Sequence, residues 1–280
     1  HHTLSFEFPF LSFFFAENEV FTGKWRVVSI GLHPDAIAKT ATDYYLLSEK
    51  YIAEIVKKRQ LFSHKGSFGH ALVIAGKYGM MGASVLAVKS CLRGGTGLVT
   101  AHIPKTGYNI IQTAVPEALI SLDLSEKVFS DTDSIDKYSA IAVGPGLGCD
   151  SIQAKALHKL LKEAEIPMVI DADALNILAE NQEWLGLLKE KNIITPHPGE
   201  FDRLAGASDN AYERHLKQKA FAQKYNIVVV LKGAYTIICL PNGESFVNST
   251  GNNGMATGGT CDLLTGLIAS FLAQGYSPEH

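Results

Sequence analysis

From residue 71 onward, short runs of consecutive apolar residues alternate with longer segments in which apolar residues recur every three or four positions. The short runs are typical of buried strands, and the longer segments are typical of helices with one buried face. The predicted strands cover residues 71–75, 98–102, 140–143, 168–170, 192–195 and 227–231. The predicted helices between them cover residues 82–93, 151–164, 174–180 and 210–225. This alternation predicts an α/β fold in which a central, mainly parallel sheet is flanked by helices on both faces.

The last part of the chain adds two features to this sheet. Residues 235–240 and 244–247 are apolar-rich and are joined by the turn sequence Pro-Asn-Gly, so they predict an antiparallel hairpin. From Leu263 onward, apolar residues return at helical spacing, and Gly275 is a suitable residue to end that helix.

Residues 1–32 follow a different pattern. Alternating apolar residues at 3–8 and an apolar segment at 25–30 predict two strands. The next residues are more polar, with one predicted helix at about 48–58. The predicted organisation is therefore a small N-terminal β appendage (1–32), a connector with one helix (33–60) and a main α/β domain (61–280).

Composition narrows the class of protein. The 280 residues are 46% hydrophobic with a net charge of −3, and the absence of a basic stripe makes nucleic acid an unexpected partner. The apolar run at 8–15 is too short to cross a bilayer and precedes an acidic stretch, so we expect a buried strand or packing segment and no membrane association. Four scattered cysteines lack the spacing of a metal site or a disulfide framework, which is typical of a cytoplasmic protein.

Glycine, proline and charged residues directly follow five of the predicted strands. In open α/β sheets, binding sites form outside the carboxyl ends of the strands. One such segment usually makes only a turn, but five at the same edge predict a nucleotide site. None has the glycine-lysine pattern of a P-loop, which disfavours a Walker-type ATPase. The five segments are residues 76–83, 144–148, 171–176, 195–200 and 232–234.

Residues 251–266, with the sequence GNNGMATGGTCDLLTG, form a glycine-rich turn that leads into the last predicted helix. Backbone N–H groups at a helix N-terminus attract anions, so a phosphate can lie against this turn. Asp262 falls in the first turn of the helix and is the candidate base, a pairing that predicts phosphoryl transfer onto a hydroxyl. The alternative is that Asp262 only caps or stabilises the helix.

Two other charged positions allow two interpretations each. Glu200 either holds Mg²⁺ through water or caps a helix beside a solvated His197. Lys232 either reaches a phosphate or is an ordinary surface lysine.

Asp171 and Asp173 follow the same strand and are two residues apart, so their side chains should point in different directions. We interpret them as lining the site rather than as a catalytic pair. Asp173 or Asn176 is also a candidate for the start of the next helix.

The motifs together resemble one family. They occur in the same order as in the ADP/ATP-dependent NAD(P)H-hydrate dehydratases, and the resemblance extends from about residue 50 to residue 280. It implies a ribokinase-like fold. Residues 3–32 resemble the closing stretch of the epimerase domain that precedes the dehydratase in bifunctional members; the core of that domain is absent, so we expect no epimerase activity. The motifs lie at residues 65–69, 79–83, 144–148, 171–176, 195–200, 232–233 and 251–262.

The resemblance also implies an activity, the repair of damaged cofactor. Water added across the nicotinamide ring leaves a hydroxyl at C6, and the family removes it with ADP or ATP as phosphoryl donor and Mg²⁺, eliminating phosphate and restoring NADH or NADPH. The implied partners are the hydrated cofactor, the adenine nucleotide and further copies of the chain in a homo-oligomer.

Site residues are implied position by position. Asp262 is the implied catalytic base, and it lines the hydrate pocket with Ala83, Gly146 and His197. Glu200 is implied near the metal, through water. The implied nucleotide-binding residues are Asn176, Lys232, Gly233, Ala234, Tyr235, Thr236, Gly259, Thr260 and Cys261.

Cys261 departs from the family, which has glycine at this position. A Cβ there is expected to crowd the phosphate, and a positive φ would be disfavoured. Two alternatives therefore stand beside the dehydratase: a ribokinase-like kinase of a small molecule such as a vitamin precursor, and a nucleotide-binding protein weakened in catalysis by Cys261.

Overall fold

The computed structural model describes residues 1–280, and strands and helices are numbered here in chain order. The strands are β1 (His2–Phe6), β2 (Lys24–Val28), β3 (Tyr44–Leu46), β4 (His70–Ile74), β5 (Leu98–Ile103), β6 (Leu119–Leu122), β7 (Ala140–Val143), β8 (Met168–Ile170), β9 (Asn192–Ile194), β10 (Val228–Leu231), β11 (Thr236–Cys239) and β12 (Ser245–Asn248). The helices are α1 (Glu19–Thr22), α2 (Pro34–Lys39), α3 (Glu49–Ile55), α4 (Met81–Arg93), α5 (Tyr108–Ala114), α6 (Ser151–Glu163), α7 (Ala172–Glu180), α8 (Pro198–Ala205), α9 (Ala211–Tyr225) and α10 (Thr260–Ala273).

Ten of the strands form one sheet, in the order β3-β12-β11-β10-β9-β8-β7-β4-β5-β6. Only β11 runs against its neighbours, and all other pairings in this sheet are parallel. The predicted mainly parallel sheet and the predicted hairpin (β11–β12) are both confirmed.

Each face of the sheet carries its own apolar core. Along β4, Leu72 and Ile74 pack into one cluster while Ala71 and Val73 pack into the other, as the two-residue repeat of a strand requires. Helices α6, α7 and α9 cover the first face, and α4 and α10 cover the second. The predicted layering of helices on both faces is therefore confirmed. None of the helices combines the length and the apolar character needed to cross a membrane.

The hydrophobic pattern missed several elements. The segment predicted as a connector with one helix contains two helices and β3, which pairs with β12 at the sheet edge. Strand β6 also escaped prediction, because an edge strand with exposed residues lacks a continuous apolar run. Helix α8 also lies outside the helices that the hydrophobic pattern predicts. Pro198 occupies the first turn of the helix, where its missing N–H costs nothing.

The N-terminal residues form a separate two-stranded sheet. Strands β1 and β2 are parallel to one another, close to their predicted positions. Between them, the run predicted as a strand or packing segment forms a short 3-10 turn, and Phe14 and Phe15 at its end are buried in the main core. Phe8 and Phe10 remain exposed.

Candidate functional site

Five neighbouring strands end at the same edge of the sheet. In the order β10-β9-β8-β7-β4, they are adjacent and parallel, so their carboxyl ends lie side by side. Each is followed by one of the five glycine-, proline- or charge-rich segments singled out in the sequence. The topology thus brings those segments together.

The glycine-rich turn meets this edge through α10. Gly259 has a φ of +92°, and a Cβ on it would lie 2.5 Å from Leu86 Cδ1, so only glycine fits where the turn enters the helix. Cys261 lies in the first turn of α10 with ordinary helical backbone. The expected backbone strain at Cys261 is therefore absent, and any effect of this residue comes from its side chain.

Asp171 is the anchor of the site. Its side chain is fully buried, and its two oxygens accept hydrogen bonds from Lys232 Nζ (2.8 Å) and from Thr265 Oγ1 (2.7 Å) on α10. Lys232 Nζ also lies 3.8 Å from a carboxylate oxygen of Glu200. Burial alone would lower the pKa of Lys232, but the carboxylates of Asp171 and Glu200 outweigh it and raise that pKa. Lys232 is thus a largely buried, charged residue whose side chain is 12% exposed, and its interpretation as a surface lysine is wrong.

Asp262 differs from the other carboxylates because its side chain accepts no hydrogen bond from the protein. It does not cap α10, whose N-cap, Gly259, has no side chain to do so either. Burial raises the pKa of Asp262, repulsion from Asp171 and Asp173 adds to the rise, and Lys232 partly opposes it. A half-buried carboxylate without a partner and with a raised pKa has the properties of a general base.

His197 and Glu200 form a capping box at the start of α8. The Glu200 carboxylate accepts from His197 N–H (2.8 Å), and His197 Nδ1 accepts from the backbone N–H groups of Gly199 and Glu200. The capping interpretation is therefore confirmed, and the His197 side chain is about half exposed (48%).

The structure contains no cluster of three or more His, Cys, Asp or Glu side chains able to hold a metal ion. Glu200 is a single carboxylate that already accepts from His197 N–H and faces Lys232. The protein therefore does not supply a full set of side-chain ligands for a metal ion. Its donor set fits only a cation that keeps most of its ligands as water and substrate phosphate, as Mg²⁺ commonly does.

Two predicted pocket residues, Ala83 and Gly146, are in contact range. Gly146 has a φ of +62°, and a Cβ on it would lie 2.9 Å from Ala83 Cβ, so the ends of β7 and α4 approach each other closely there. Next to them, Lys77 Nζ lies 3.0 Å from the position of a Cβ on Gly148. Sequence reasoning did not single out Lys77, although it lies within the segment after β4.

The side chains of Asp173 and Asn176 each accept hydrogen bonds from a neighbouring segment. Helix α7 begins at Ala172, so neither residue starts it and that expectation is wrong. Asp173 accepts from Gly148 N–H (2.7 Å), a partner different from those of Asp171, as the spacing predicted. Asn176 accepts two hydrogen bonds from Arg203 and lines a cavity with it that contains none of the other predicted site residues. Its role in nucleotide binding stays a prediction.

A buried pair, His102 and Asp123, supports the edge of the site. His102 Nε2 lies 3.2 Å from Asp123, which also accepts from the backbone and side chain of Ser130. The loop organised in this way passes beside the segment after β4, where Tyr78 N–H donates to the carbonyl of Lys127 (2.8 Å). Sequence reasoning missed this pair because its members are 21 residues apart.

We expect Asp123 to make stability depend on pH. Burial alone would raise the pKa of Asp123, but hydrogen bonds, first among them that from His102, lower it to about 2, against an ordinary value of 3.8. A carboxylate with a lowered folded-state pKa contributes its full stabilisation above its unfolded pKa and loses it as pH falls through the folded pKa. The contribution is about 2 kcal/mol near neutral pH.

Urea unfolding of the wild type and of Asp123→Asn at several pH values measures this contribution. The difference in unfolding free energy between the two proteins should be largest near neutral pH and should shrink between about pH 4 and pH 2. A difference that does not change with pH would contradict the assignment.

Comparisons with known proteins identify a family whose sequence pattern this chain matches. The family model described as NAD(P)H-hydrate dehydratase matches residues 71–280. The bifunctional NAD(P)H-hydrate repair enzyme of Moorella thermoacetica is 33% identical over 99% of this chain, which spans 54% of that enzyme, about half its length.

Solved structures give the fold. A ribokinase-like superfamily protein from Enterococcus faecalis has a TM-score of 0.73 at 28% identity, covering 84% of this chain and 82% of its own. The ADP/ATP-dependent NAD(P)H-hydrate dehydratase of Bacillus subtilis, co-crystallised with ATP and Mg²⁺, has a TM-score of 0.72 at 31% identity, covering 86% of this chain and 85% of its own. The expected ribokinase-like fold is confirmed.

Proposed function

We propose a function for this chain on the premise that it belongs to the NAD(P)H-hydrate dehydratase family. It restores NADH and NADPH from their hydrated forms in a reaction driven by ADP or ATP. The observation that carries the proposal is Asp262. It is a half-buried carboxylate without a hydrogen-bond partner and with a raised pKa, in the first turn of the helix that follows the glycine-rich turn.

The reaction proceeds by phosphoryl transfer followed by elimination. Asp262 accepts the proton of the C6 hydroxyl as its oxygen attacks the terminal phosphorus of the nucleotide, and the bond from that phosphorus to the bridging oxygen breaks. The C6–O bond of the phosphorylated hydrate then breaks, phosphate leaves with the bonding electrons, and loss of a proton from the neighbouring ring carbon restores the double bond. Such a transfer needs mainly positioning and charge stabilisation from the protein.

Each part of the site has a proposed role in this reaction. Backbone N–H groups at the start of α10 receive the transferred phosphate. Ala83, Gly146 and His197 line the hydrate pocket with Asp262. Glu200 holds Mg²⁺ through water, and the cation supplies charge neutralisation of the nucleotide phosphates. The nucleotide lies along the residues predicted for it: Asn176, Lys232, Gly233, Ala234, Tyr235, Thr236, Gly259, Thr260 and Cys261.

We also propose that the protein works in a reducing compartment and forms a homo-oligomer. All four cysteines are free, which supports a reducing compartment such as the cytoplasm. The homo-oligomer implied by the resemblance stays a prediction, and light scattering of the purified chain tests it.

The direct test is an activity assay. Purified protein, Mg²⁺ and hydrated NADH or NADPH are incubated with ADP or with ATP, and the absorbance of the reduced nicotinamide is followed. The proposal expects its recovery with at least one of the nucleotides and none without nucleotide. No recovery with either nucleotide and either hydrate would contradict the proposal.

Replacing Cys261 by Gly separates an active enzyme from a weakened one. Both residues keep the backbone N–H, and Cys261 has helical backbone, so we expect kcat to change by less than about ten-fold, below the 10²–10³ effect of one oxyanion donor. Glycine inside the first helical turn should lower the unfolding free energy by only about 0.3–0.5 kcal/mol, because cysteine is itself a poor helix former. Steady-state rates and urea unfolding measure both effects. A gain in kcat of about 10² or more would show that the thiol obstructs the phosphate, and would favour the weakened, nucleotide-binding alternative.

A further inference from the structure

Tyr235, in the turn between β10 and β11, is held by two aromatic side chains from the N-terminal segment. The Phe14 ring meets the Tyr235 ring edge-on, with centroids 5.1 Å apart. The indole N–H of Trp25 donates a hydrogen bond to the Tyr235 hydroxyl (3.3 Å). Phe14 and Trp25 also pack edge-on against each other, with centroids 5.9 Å apart. Phe14 is only 8% exposed, so the three rings form one packed cluster.

The same segment is attached a second time, at the start of α9. The Glu17 carboxylate accepts from Ala211 N–H (2.9 Å), satisfying a free donor at the helix N-terminus. The buried Phe15 packs against Tyr212 of the same helix. The segment is therefore tied both to the turn between β10 and β11 and to the helix beside it.

Helix α9 continues this connection to strands β10 and β11. The fully buried amide of Gln218 donates to the carbonyls of Val229 in β10 (2.9 Å) and Ile237 in β11 (2.8 Å). These are the two strands that the turn joins. Hydrogen bonds and aromatic contacts thus connect the N-terminal segment, α9 and the strands β10 and β11 around the turn.

Lys232 at the start of the turn is held by Asp171, but the two residues after it have few contacts of their own. Gly233 and Ala234 are exposed, and the Thr236 hydroxyl bond to the Gly233 carbonyl (3.3 Å) is a weak internal tie. On its outer side the turn abuts the glycine-rich turn, because a Cβ on Gly251 would collide with the carbonyl oxygen of Ala234. Ala234 therefore lies between Tyr235 and the start of the glycine-rich turn.

We propose that the segment from Leu11 to Trp25 is a positioning element for the adenine-nucleotide site, in which Phe14 and Trp25 fix Tyr235 and through it the turn at residues 232–236. The inference rests on the proposed function, since that turn is proposed to bind the nucleotide. It assigns to the N-terminal residues a role in affinity for nucleotide, separate from the chemistry at Asp262.

Trp25→Phe is the main test variant because it keeps an aromatic ring and removes the hydrogen bond to Tyr235. We expect the Kd for ADP, measured by calorimetry well below the unfolding temperature, to rise about three- to ten-fold, the change that one hydrogen bond produces. In the activity assay the KM for nucleotide should rise by the same factor, whereas kcat and the KM for the hydrate should change less than two-fold, about the spread of independent sites. Phe14→Leu, which keeps an apolar core residue, should act in the same direction.

Two controls and a double variant separate positioning from stability. Phe21→Ala changes an exposed aromatic residue of the same segment (78% exposed), and Trp184→Phe changes the other tryptophan, which stacks on His158; both should leave the Kd for ADP unchanged. Tyr235→Phe removes the same hydrogen bond from the other side. The double variant Trp25→Phe/Tyr235→Phe should therefore bind ADP no more weakly than the weaker of the two single variants.

The outcomes are distinct. If Trp25→Phe lowers the unfolding temperature but leaves the Kd for ADP at the wild-type value, the segment is merely structural and the inference is overturned. Fully additive effects in the double variant would overturn it as well. If the wild type binds ADP and the variants weaken binding but no reduced nicotinamide is recovered, the proposed activity fails while the positioning role stands. A wild type that binds no ADP would overturn the positioning role together with the proposed nucleotide site.

Discussion

Replacing Asp262 by Asn is expected to lower kcat by about 10³-fold or more, near the upper part of the range for loss of a general base. The amide has nearly the same size but cannot take the proton of the C6 hydroxyl. The Asp262 side chain makes no hydrogen bond in the fold, so the substitution should leave the unfolding free energy nearly unchanged. The Kd for nucleotide should change little, or improve slightly, because a negative charge beside the phosphates is removed.

The pH dependence of the wild-type rate provides an independent check on Asp262. Its folded-state pKa is raised above the ordinary value of 3.8, so the base becomes protonated, and kcat/KM falls, at a higher pH than an exposed aspartate would cause. Asp150→Asn is a matched control, since Asp150 is an exposed N-cap residue without a side-chain capping bond. If Asp262→Asn keeps more than about a tenth of the wild-type kcat, far above what loss of a general base allows, the assignment is wrong.

Replacing Asp171 by Ala is expected to lower the free energy of unfolding by about 3–5 kcal/mol, the usual effect of removing one partner of a buried ion pair. The Asp171 side chain is 0% exposed and that of Lys232 is 12% exposed, so the ammonium is left with only Glu200, 3.8 Å away. The Thr265 hydroxyl loses its carboxylate acceptor at the same time.

Urea unfolding of single and double variants tests this prediction. In Asp171→Ala/Lys232→Met the ammonium that Asp171 leaves behind is removed as well, so the double variant should be more stable than Asp171→Ala alone. A loss below about 1 kcal/mol in Asp171→Ala, typical of an exposed ion pair, would contradict the description of a buried anchor. So would a double variant whose loss equals the sum of the two single losses.

Much of the fold was predictable because its signals are local. A strand such as β7, buried on both faces, appears as four consecutive apolar residues, and α6 appears as a repeat of apolar residues every three or four positions. The elements that were missed lack such signals. Strand β3 is only three residues long and is defined by its pairing with β12, about 200 residues later in the chain. Nothing local distinguishes it from a loop.

The sequence predicted which segments form the candidate site. It did not predict which side chains contact one another there. Parallel strands necessarily end at one edge, so five segments that follow such strands had to meet there. Which side chains pair across that edge depends on tertiary distances. The partners of Asp171 are 61 and 94 residues away in sequence, and Lys232 therefore looked equally compatible with the surface. The two residues of the capping box, His197 and Glu200, are by contrast only three positions apart, and capping by Glu200 was one of the two predicted roles.

The N-terminal aromatic residues illustrate the same limit. Their apolar character predicted burial, and Phe14 and Phe15 are buried as expected. Their contact with Tyr235, more than 200 residues later in the chain, could only emerge from the structure.

The most direct measurement of the central claim is the stoichiometry of the reaction. Hydrated NADH, Mg²⁺ and the nucleotide that supports recovery in the activity assay, ADP or ATP, are incubated with the wild type and with Asp262→Asn, and reduced nicotinamide, inorganic phosphate and the product nucleotide, AMP or ADP, are quantified together. We predict that the wild type forms the three products in equal amounts and that Asp262→Asn forms almost none. A phosphorylated nicotinamide that accumulates without release of phosphate would identify a kinase instead, and consumption of the nucleotide without recovery of reduced nicotinamide would contradict the dehydratase account.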